Sequence, residues 1–408
     1  MCGICGKINF NSKPIDEQLL RKMTKVLNHR GPDDEGIYLK DNVGLGHTRL
    51  KIIDLSSAAH QPMSNEDGKI WIVYNGEIYN FQELRKDLLE KGHIFRSKSD
   101  TEAIIHLYEE YGIDCVNSLR GMFAFAIWDE NKKRLFLARD RVGKKPLNYA
   151  VKNESLIFAS EIKSILQDSD FPREVNLKAL DLYLTYQYVP APETIFSGIK
   201  KLPPAHILIL ENGEIKIERY WQISYKNSLK MKEEEYCERI LELFTEACKI
   251  RMMSDVPLGA FLSGGIDSSA VVAIMSKISA HPVKTFSIGF KEESFNELRY
   301  ARKIAKLFKT EHHEYIVKPD ALEVLPKLIW HFNEPFADSS SLATYYLSKI
   351  TRQEVTVALN GDGGDELFAG YERYTANKIA NIYSLMPLFL RKGISSVVQY
   401  QPESTNKK

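Results

Sequence analysis

The chain has 408 residues, of which 44% are hydrophobic and 27% are charged, and its 55 Lys and Arg balance 54 Asp and Glu. This length exceeds what one hydrophobic core usually organises, so two domains are expected. The near-zero net charge gives no overall attraction to nucleic acid or to a membrane surface, and no apolar stretch approaches the roughly 18 residues that would cross a bilayer. We therefore expect a globular protein with neither nucleic-acid nor membrane partners.

The cysteines and the N-terminus bear on the compartment. Five cysteines are scattered along the chain, with only Cys2 and Cys5 close together. An odd, dispersed set favours reduced thiols, and the first residues lack the basic and apolar regions of a signal peptide. Both features predict a cytoplasmic protein. The short basic runs at 132–134 and 144–145 are interpreted as solvated surface.

Short apolar runs separated by turn residues characterise the first half of the chain. A strand at 70–74 runs into the turn-forming pair Asn75-Gly76, and strands at 123–128 and 134–138 flank a polar stretch that predicts a hairpin. Helices are predicted at 81–91 and 100–111, each ending at a glycine, and a strand pair at 207–210 and 215–217. This pattern predicts two layers of sheet covered by helices.

Beyond a polar linker at 225–235, helices and strands alternate. Helices are predicted at 235–253, 268–279, 296–308, 321–331 and 341–351, and strands at 257–262, 283–289 and 355–359. Such alternation predicts an open parallel sheet with ligands at the carboxyl ends of its strands.

Cys2 is a candidate nucleophile. Removal of Met1 would place its thiol beside a free α-amine, which can act as the general base for its own side chain. The alternative is that Cys2 and Cys5 form a redox pair or half a metal site. No second CxxC or pair of histidines follows at zinc spacing, which disfavours that alternative.

Several short motifs give the chain a family resemblance. They are CGI at 2–4, HRGPD at 29–33, HTRL at 47–50, YNGEIYN at 74–80 and SDTE at 99–102. In this order they resemble the class II glutamine amidotransferase domain of glutamine-hydrolysing asparagine synthetases, which has the N-terminal nucleophile αββα sandwich fold. The resemblance implies a glutamine site in which Cys2 attacks the side-chain amide, Asn75 and Gly76 form the oxyanion hole, Arg49 holds the carboxylate, and Glu77 and Asp100 hold the α-amine. Taken singly, Arg49 is an ordinary surface residue and Asp100 only the N-cap of the following helix.

A second motif, SGGIDSS at 263–269, lies between a predicted strand and helix. Glycines let backbone approach a phosphate closely, and a helix N-terminus supplies free N–H donors. The motif lacks a Walker lysine and resembles the pyrophosphate loop of ATP pyrophosphatases, which form acyl-adenylates. Alone, a Gly-Gly pair would be a plain turn. The resemblance implies ATP contacts at Leu262, Ser263, Gly264, Gly265, Asp267, Ser268, Ser269 and Ile288.

A glycine-rich acidic loop, NGDGGDE at 360–366, follows the last predicted strand. Carboxylates at a strand end suit Mg²⁺, which prefers oxygen ligands. The alternative is a calcium-type loop or a solvated turn, although EF-hand spacing is absent. The resemblance implies that Asn360 and Gly361 contact ATP, that Asp362 supports adenylate formation, and that Asp267 and Asp365 serve the magnesium pyrophosphate. The run at 312–314 is interpreted as a polar strand edge, with no metal ligand assigned.

The chain also departs from the family pattern. Asn148, Asn296 and Asn360 stand where an aromatic residue, an aspartate and a serine are usual. The first two are interpreted as changes in packing or hydrogen bonding. The chain also ends after a polar tail at 401–408, whereas family members continue and supply a further phosphate-binding lysine. We therefore expect an incomplete or divergent synthetase half, with glutaminase chemistry retained and amide synthesis impaired.

Together these features predict a glutaminase domain at 2–215 and an ATP pyrophosphatase-like asparagine synthase domain at 235–408, with homodimerisation as a further family expectation. The implied reaction converts ATP, aspartate and glutamine to AMP, pyrophosphate, asparagine and glutamate. Two alternatives stay open: amination of another carboxylate, on a sugar or a peptide, and a non-catalytic protein that binds nucleotide or a partner.

Overall fold

The computed structural model describes residues 1–226, 229–291, 296–318 and 320–399, with the side chains of 397–399 excepted. The polar tail at 401–408 and part of the linker at 225–235 lie outside the described residues.

The first half of the chain contains two six-stranded antiparallel sheets. Its strands are β1 (Gly3–Asn9), β2 (Asp34–Lys40), β3 (Val43–Arg49), β4 (Met63–Ser64), β5 (Ile70–Ile78), β6 (Gly121–Asp129), β7 (Arg134–Arg139), β8 (Asn148–Lys152), β9 (Ser155–Ala159), β10 (Ile199–Lys201), β11 (His206–Glu211) and β12 (Glu214–Arg219). The strand orders are β10-β8-β9-β1-β3-β2 and β12-β11-β7-β6-β5-β4. Its helices are α1 (Glu17–Lys25), α2 (Phe81–Glu90), α3 (Asp100–Tyr111), α4 (Ile162–Ile165) and α5 (Leu177–Tyr186).

Side-chain alternation along β6 shows how these layers pack. Ala124 and Ala126 belong to the core between the two sheets, whereas Phe123, Phe125 and Ile127 belong to a second core shared with α2 and α3. Successive residues of a strand point to opposite faces, so this sheet is buried on both sides. A third core lies between α1, α4 and the outer face of the first sheet. The predicted αββα sandwich is confirmed.

The second half is built on a parallel four-stranded sheet of order β15-β14-β13-β16. These strands are β13 (Leu258–Phe261), β14 (Lys284–Gly289), β15 (Glu311–Ile316) and β16 (Val357–Leu359). Its helices are α6 (Glu233–Arg251), α7 (Ile266–Ile278), α8 (Leu298–Phe308), α9 (Ala321–Phe332), α10 (Ser340–Thr351), α11 (Gly364–Phe368), α12 (Glu372–Leu385) and α13 (Leu388–Gln399). The predicted open parallel sheet is confirmed, with the run at 312–314 on its edge strand β15. No helix in the described ranges is both long and apolar enough to cross a bilayer.

Two local predictions were wrong. Asn75-Gly76 is not a turn, because β5 continues through it to Ile78 and pairs Asn75 with Ala124 and Gly76 with Phe123. A Cβ at Gly76 would overlap the Met122 carbonyl oxygen, so glycine is required there by close strand packing rather than by a turn. Lys145, interpreted as solvated surface, is only 4% exposed.

The two halves contact each other directly. The Asp54 N–H donates to the Asp255 carboxylate at 2.8 Å, and the Asp255 N–H donates to the Ile52 carbonyl at 3.0 Å. Elsewhere, Lys201 forms an ion pair with Glu334. These contacts join the first half to the segment before β13 and to the segment after α9.

Candidate functional site

A cavity of about 280 Å³ in the first half brings together all six residues of the predicted glutamine site. Cys2 precedes β1, Arg49 ends β3, Asn75, Gly76 and Glu77 lie on β5, and Asp100 begins α3. Because β3 and β5 belong to different sheets, the cavity draws its side chains from both sheets of the sandwich.

The Cys2 thiol lies 3.8 Å from the Leu50 carbonyl oxygen, to which it donates. Burial raises the pKa of this thiol, so it needs a base to become a nucleophile. Burial also lowers the pKa of the Met1 α-amine to about 5. This part of the cavity therefore keeps an α-amine neutral near pH 7, the state in which it can accept a proton.

Asn75 is buried, and neither atom of its side-chain amide has a hydrogen-bond partner among the described residues. A buried amide without partners costs free energy that a bound ligand would recover. The amide is thus held ready for a polar group within the cavity, as an oxyanion hole requires.

Glu77 and Asp100 form an acidic pair. Asp100 accepts hydrogen bonds of 2.8 Å from both the Tyr74 hydroxyl and the Ile78 N–H. Burial raises the pKa of both carboxyls, and the nearby Asp100 raises that of Glu77 further. A ligand carrying a positive charge would stabilise their ionised forms. The alternative of Asp100 as an N-cap was wrong, because Ser99 caps α3 through the Thr101 N–H.

Arg49 is fixed by the loop that follows β3. Its guanidinium donates to the carbonyls of Ser56 at 3.0 Å and Ile53 at 3.3 Å. The side chain is only 4% exposed, so it is not an ordinary surface residue.

Two basic residues near Cys2 were missed from the sequence. Lys145 lines the cavity, and burial lowers its pKa to about 8. The Arg30 Nε donates to the Cys2 carbonyl at 2.9 Å. Turn residues were the available signal for Lys145, since Asp140 accepts the Lys145 N–H at 2.9 Å and so folds the segment inwards.

A second cavity, of about 520 Å³, lies at the carboxyl ends of β13, β14 and β16. Most of the predicted nucleotide residues line it: Leu262, Ser263, Gly265, Asp267, Ser268, Ile288, Asn360, Gly361, Asp362 and Asp365. Gly264 and Ser269 do not. Gly264 has a φ of +86° and packs against the backbone of α8, and the Ser269 hydroxyl is buried. Phe290 and Glu297 also line the cavity and were not predicted.

The loop before α7 is tied together by its serines. The Ser263 and Ser268 hydroxyl oxygens lie 2.8 Å apart, and the Gly265 N–H donates to the Ser263 hydroxyl at 3.2 Å. These bonds place the N-terminus of α7, a 13-residue helix, at the cavity, where its free N–H groups favour an anion.

Asp267 and Asp365 reach the cavity from α7 and α11. A Cβ at Gly364 would overlap the Asp267 carboxylate, and one at Gly361 would lie 2.9 Å from the Asp267 Cβ. The glycines of the acidic loop therefore leave room for this side chain, and its oxygen-donor chemistry fits Mg²⁺. Asn360 donates to the Asp362 carboxylate at 2.6 Å, so the Asn360 side chain organises the loop.

β16 connects the two cavities. Thr356, Val357 and Ala358 line the first cavity, and Asn360 and Gly361 line the second. One residue, Leu359, separates Ala358 from Asn360, so the two lie about 7 Å apart along extended chain. The second half thus supplies a wall of the cavity that holds Cys2.

Comparisons with known proteins agree with this arrangement. Residues 1–221 match the family model of the glutamine amidotransferase domain, and residues 239–403 match that of asparagine synthase. The chain is 38% identical to "Asparagine synthetase [glutamine-hydrolyzing] 1" of Bacillus subtilis, over 99% of this chain and 64% of that protein. It is 41% identical to "Putative asparagine synthetase [glutamine-hydrolyzing] 2" of Methanocaldococcus jannaschii, over 96% of this chain and 79% of that protein.

The chain therefore spans 64% of the Bacillus relative's length. A solved glutamine phosphoribosylpyrophosphate amidotransferase of B. subtilis aligns with 80% of this chain and 70% of its own, at 18% identity and a TM-score of 0.41. The two family models and the two curated relatives show that the chain belongs to the glutamine-hydrolysing asparagine synthetase family.

Proposed function

We propose that this chain hydrolyses glutamine at Cys2 and transfers the released ammonia to an aspartate activated by ATP. The products are asparagine, glutamate, AMP and pyrophosphate, and their formation by this chain would refute the expectation that its synthetase half is impaired. The observation that carries this proposal is the position of β16, which lines the Cys2 cavity and leads directly into the loop of the second cavity.

In the first half, the Cys2 thiolate attacks the glutamine side-chain carbonyl. The α-amine of processed Cys2 takes the thiol proton and returns it to the departing ammonia. The Asn75 amide and the Gly76 N–H stabilise the tetrahedral oxyanion, and water then hydrolyses the thioester to glutamate. The support is the partly buried position of Cys2 in this cavity and the unpartnered Asn75 amide.

Substrate orientation in this cavity comes from charge. Arg49 pairs with the glutamine carboxylate, and Glu77 and Asp100 with its α-ammonium. Because burial raises the pKa of both acidic side chains, binding of the ammonium group draws a proton from the pair. A cavity of about 280 Å³ suits an amino acid rather than a larger amide.

In the second half, the serine loop and the N-terminus of α7 bind the pyrophosphate of ATP. Ile288 contacts the adenosine, Asn360 and Gly361 contact the nucleotide, and Asp362 supports formation of the acyl-adenylate. Gly264 and Ser269, expected to contact ATP, support the loop from behind the cavity wall. Asp267 and Asp365 would hold Mg²⁺, which neutralises charge on the phosphates.

A Cys2→Ala variant tests whether glutamine hydrolysis and ATP-dependent AMP release take place in separate cavities. It should release no glutamate from glutamine but keep ammonia- and ATP-dependent AMP release, because nitrogen can then enter without the thiol. Cys237→Ala is the matched control, since Cys237 is exposed on α6. Glutamate release by Cys2→Ala, or an equal loss in Cys237→Ala, would contradict the proposal.

The acceptor is tested by the carboxylic acid that triggers AMP release. Aspartate should do so, whereas sugar acids and peptide carboxylates should not. A response to one of those acids instead would retain the mechanism and change the product. Homodimerisation and a cytoplasmic location are further proposals, and the five free cysteines fit the latter.

A further inference from the structure

The first half contains a cluster of histidines and carboxylates outside both cavities. Glu66, His93 and His106 each offer one ligand atom, and these atoms lie within 4.8 Å of one another. In the part of the chain that the structure describes, they are the one His, Cys, Asp or Glu group that meets this spacing. The side chains come from three segments: the loop after β4, the loop after α2, and α3 itself.

A fourth side chain touches both rings. The Glu109 Oε2 lies 2.7 Å from the His106 Nδ1 and 3.6 Å from the His93 Nδ1. The Glu66 Oε2 lies 3.8 Å from the same His106 nitrogen. Ligand atoms around a tetrahedral zinc ion lie about 3.3 Å apart, given metal–ligand distances near 2.0–2.1 Å. The three observed separations bracket that value.

Each of these side chains is also held from its other side. The Glu66 Oε1 accepts the Ile94 N–H at 3.1 Å, and the Glu109 Oε1 accepts the Asn65 amide at 2.7 Å. Outer hydrogen bonds of this kind orient metal ligands and are a regular part of protein metal sites.

Both histidines have a carboxylate on the ring nitrogen that faces away from Glu109. The His93 Nε2 lies 3.1 Å from the Glu110 Oε1, and the His106 Nε2 lies 3.9 Å from the Glu102 Oε1. The latter nitrogen is buried and unpartnered among the described residues. The Glu110 hydrogen bond favours the His93 tautomer in which Nδ1 offers a lone pair to a metal.

The local charge also favours a cation. Carboxylates of Glu66, Glu102, Glu109 and Glu110 surround the rings, and the basic groups bonded to them or to their backbone belong to Lys91 and Arg96. With neutral histidines, four negative charges thus face two positive ones. A divalent ion would balance this excess.

We propose that Glu66, His93, His106 and Glu109 bind one divalent cation of the zinc class. Imidazole and carboxylate ligands in this number suit zinc better than magnesium. The cation takes the place of the hydrogen bond between the Glu109 carboxylate and the His106 Nδ1, and each histidine then carries its proton on Nε2.

The test uses the whole chain, freed of metal with a chelator and titrated with zinc alone. About one equivalent of zinc should bind, and the thermal unfolding midpoint should rise with zinc concentration. His93→Gln and Glu66→Gln should each weaken zinc binding by about tenfold or more, and His281→Gln, at an exposed histidine, should not.

His93 and Glu66 are chosen because they are more exposed than His106, so their replacement should preserve the fold. Unchanged glutaminase activity of the metal-free variants verifies that. Absence of stoichiometric zinc binding would overturn the proposal. Binding that survives His93→Gln, or a cobalt complex with a thiolate charge-transfer band, would place the ion elsewhere and overturn it equally.

Discussion

The two cavities differ in how deeply the fold buries their polar side chains. Around Cys2, the polar side chains lie on strands and at a helix start, and Asn75 and Asp100 are 1% and 4% exposed. Around the serine loop, Ser263 and Asp362 are exposed and Asp267 and Asp365 are partly exposed. In the first cavity the fold itself holds the polar side chains in place. In the second cavity the polar side chains lie on exposed loop ends, where a larger ligand could contact them.

The proposed ligands account for this difference. A small amino acid cannot order many protein groups, so its site must be rigid before binding. A nucleotide carries several charges and a large base, and it can order the loops that bind it. Substitutions in the first cavity should therefore mainly lower the rate of the chemical step. Substitutions in the second cavity should mainly weaken ligand binding.

The largest effect is expected for Asn75→Ala. Removing one oxyanion donor typically lowers kcat by about 10²–10³-fold, and glutamate release should fall accordingly while the KM for glutamine changes little. Asn11→Ala, at an exposed asparagine, serves as the control. A rise in KM at constant kcat would show that Asn75 binds substrate rather than the transition state.

A smaller and selective effect is expected for Asp267→Asn. ATP-dependent AMP release should fall by about 100-fold, because metal-assisted charge neutralisation contributes several kcal/mol, while glutamate release from glutamine stays unchanged. Raised magnesium should partly restore the rate. Glu323→Gln, on the exposed face of α9, is the control. Equal loss of both activities would mean that the cavities are not separable.

The smallest effect concerns stability. Burial lowers the pKa of His47 from 6.5 to about 3, so between these values the unfolded chain binds a proton that the folded chain does not. Stability therefore falls as pH falls through this window, by about 2 kcal/mol from pH 7 to pH 5. His47→Gln should remove that part of the slope in urea unfolding, and His60→Gln, at an exposed histidine, should not. An unchanged slope in His47→Gln would contradict the assignment.

Sequence periodicity predicted the layers of both halves, because the spacing of apolar residues along a strand or helix follows the face that is buried. It placed the helix that begins at Asp100 and the hairpin between β6 and β7. It misplaced Asn75-Gly76, since a pair that usually forms turns here lies within β5. The physical reason is a tertiary contact, the approach of the Met122 carbonyl to Gly76, which local propensity does not contain.

The site residues show the same contrast between features that sequence patterns predict and features that depend on tertiary contacts. Motif order brought Cys2, Arg49 and Asp100 to one cavity, although they lie up to 98 residues apart. Lys145 escaped because a short basic run is usually solvated, and that pattern was given more weight than the nearby turn residue Asp140, which folds the segment inwards. Asn148 and Asn296 fit the hydrogen-bonding interpretation: Asn148 donates to the Ser160 carbonyl at 3.1 Å, and Asn296 accepts the Leu298 N–H at 3.2 Å.

β16 has only three residues, and it is held in register with β13 through Val357 and Ala358. A nucleotide that contacts Asn360 would bind next to this short strand, which also borders the cavity that holds Cys2. One short strand therefore separates the two cavities, and any shift of β16 would change the wall of the first and the loop of the second. A substitution at Val357 would thus alter both the wall of the Cys2 cavity and the strand that leads into the second cavity.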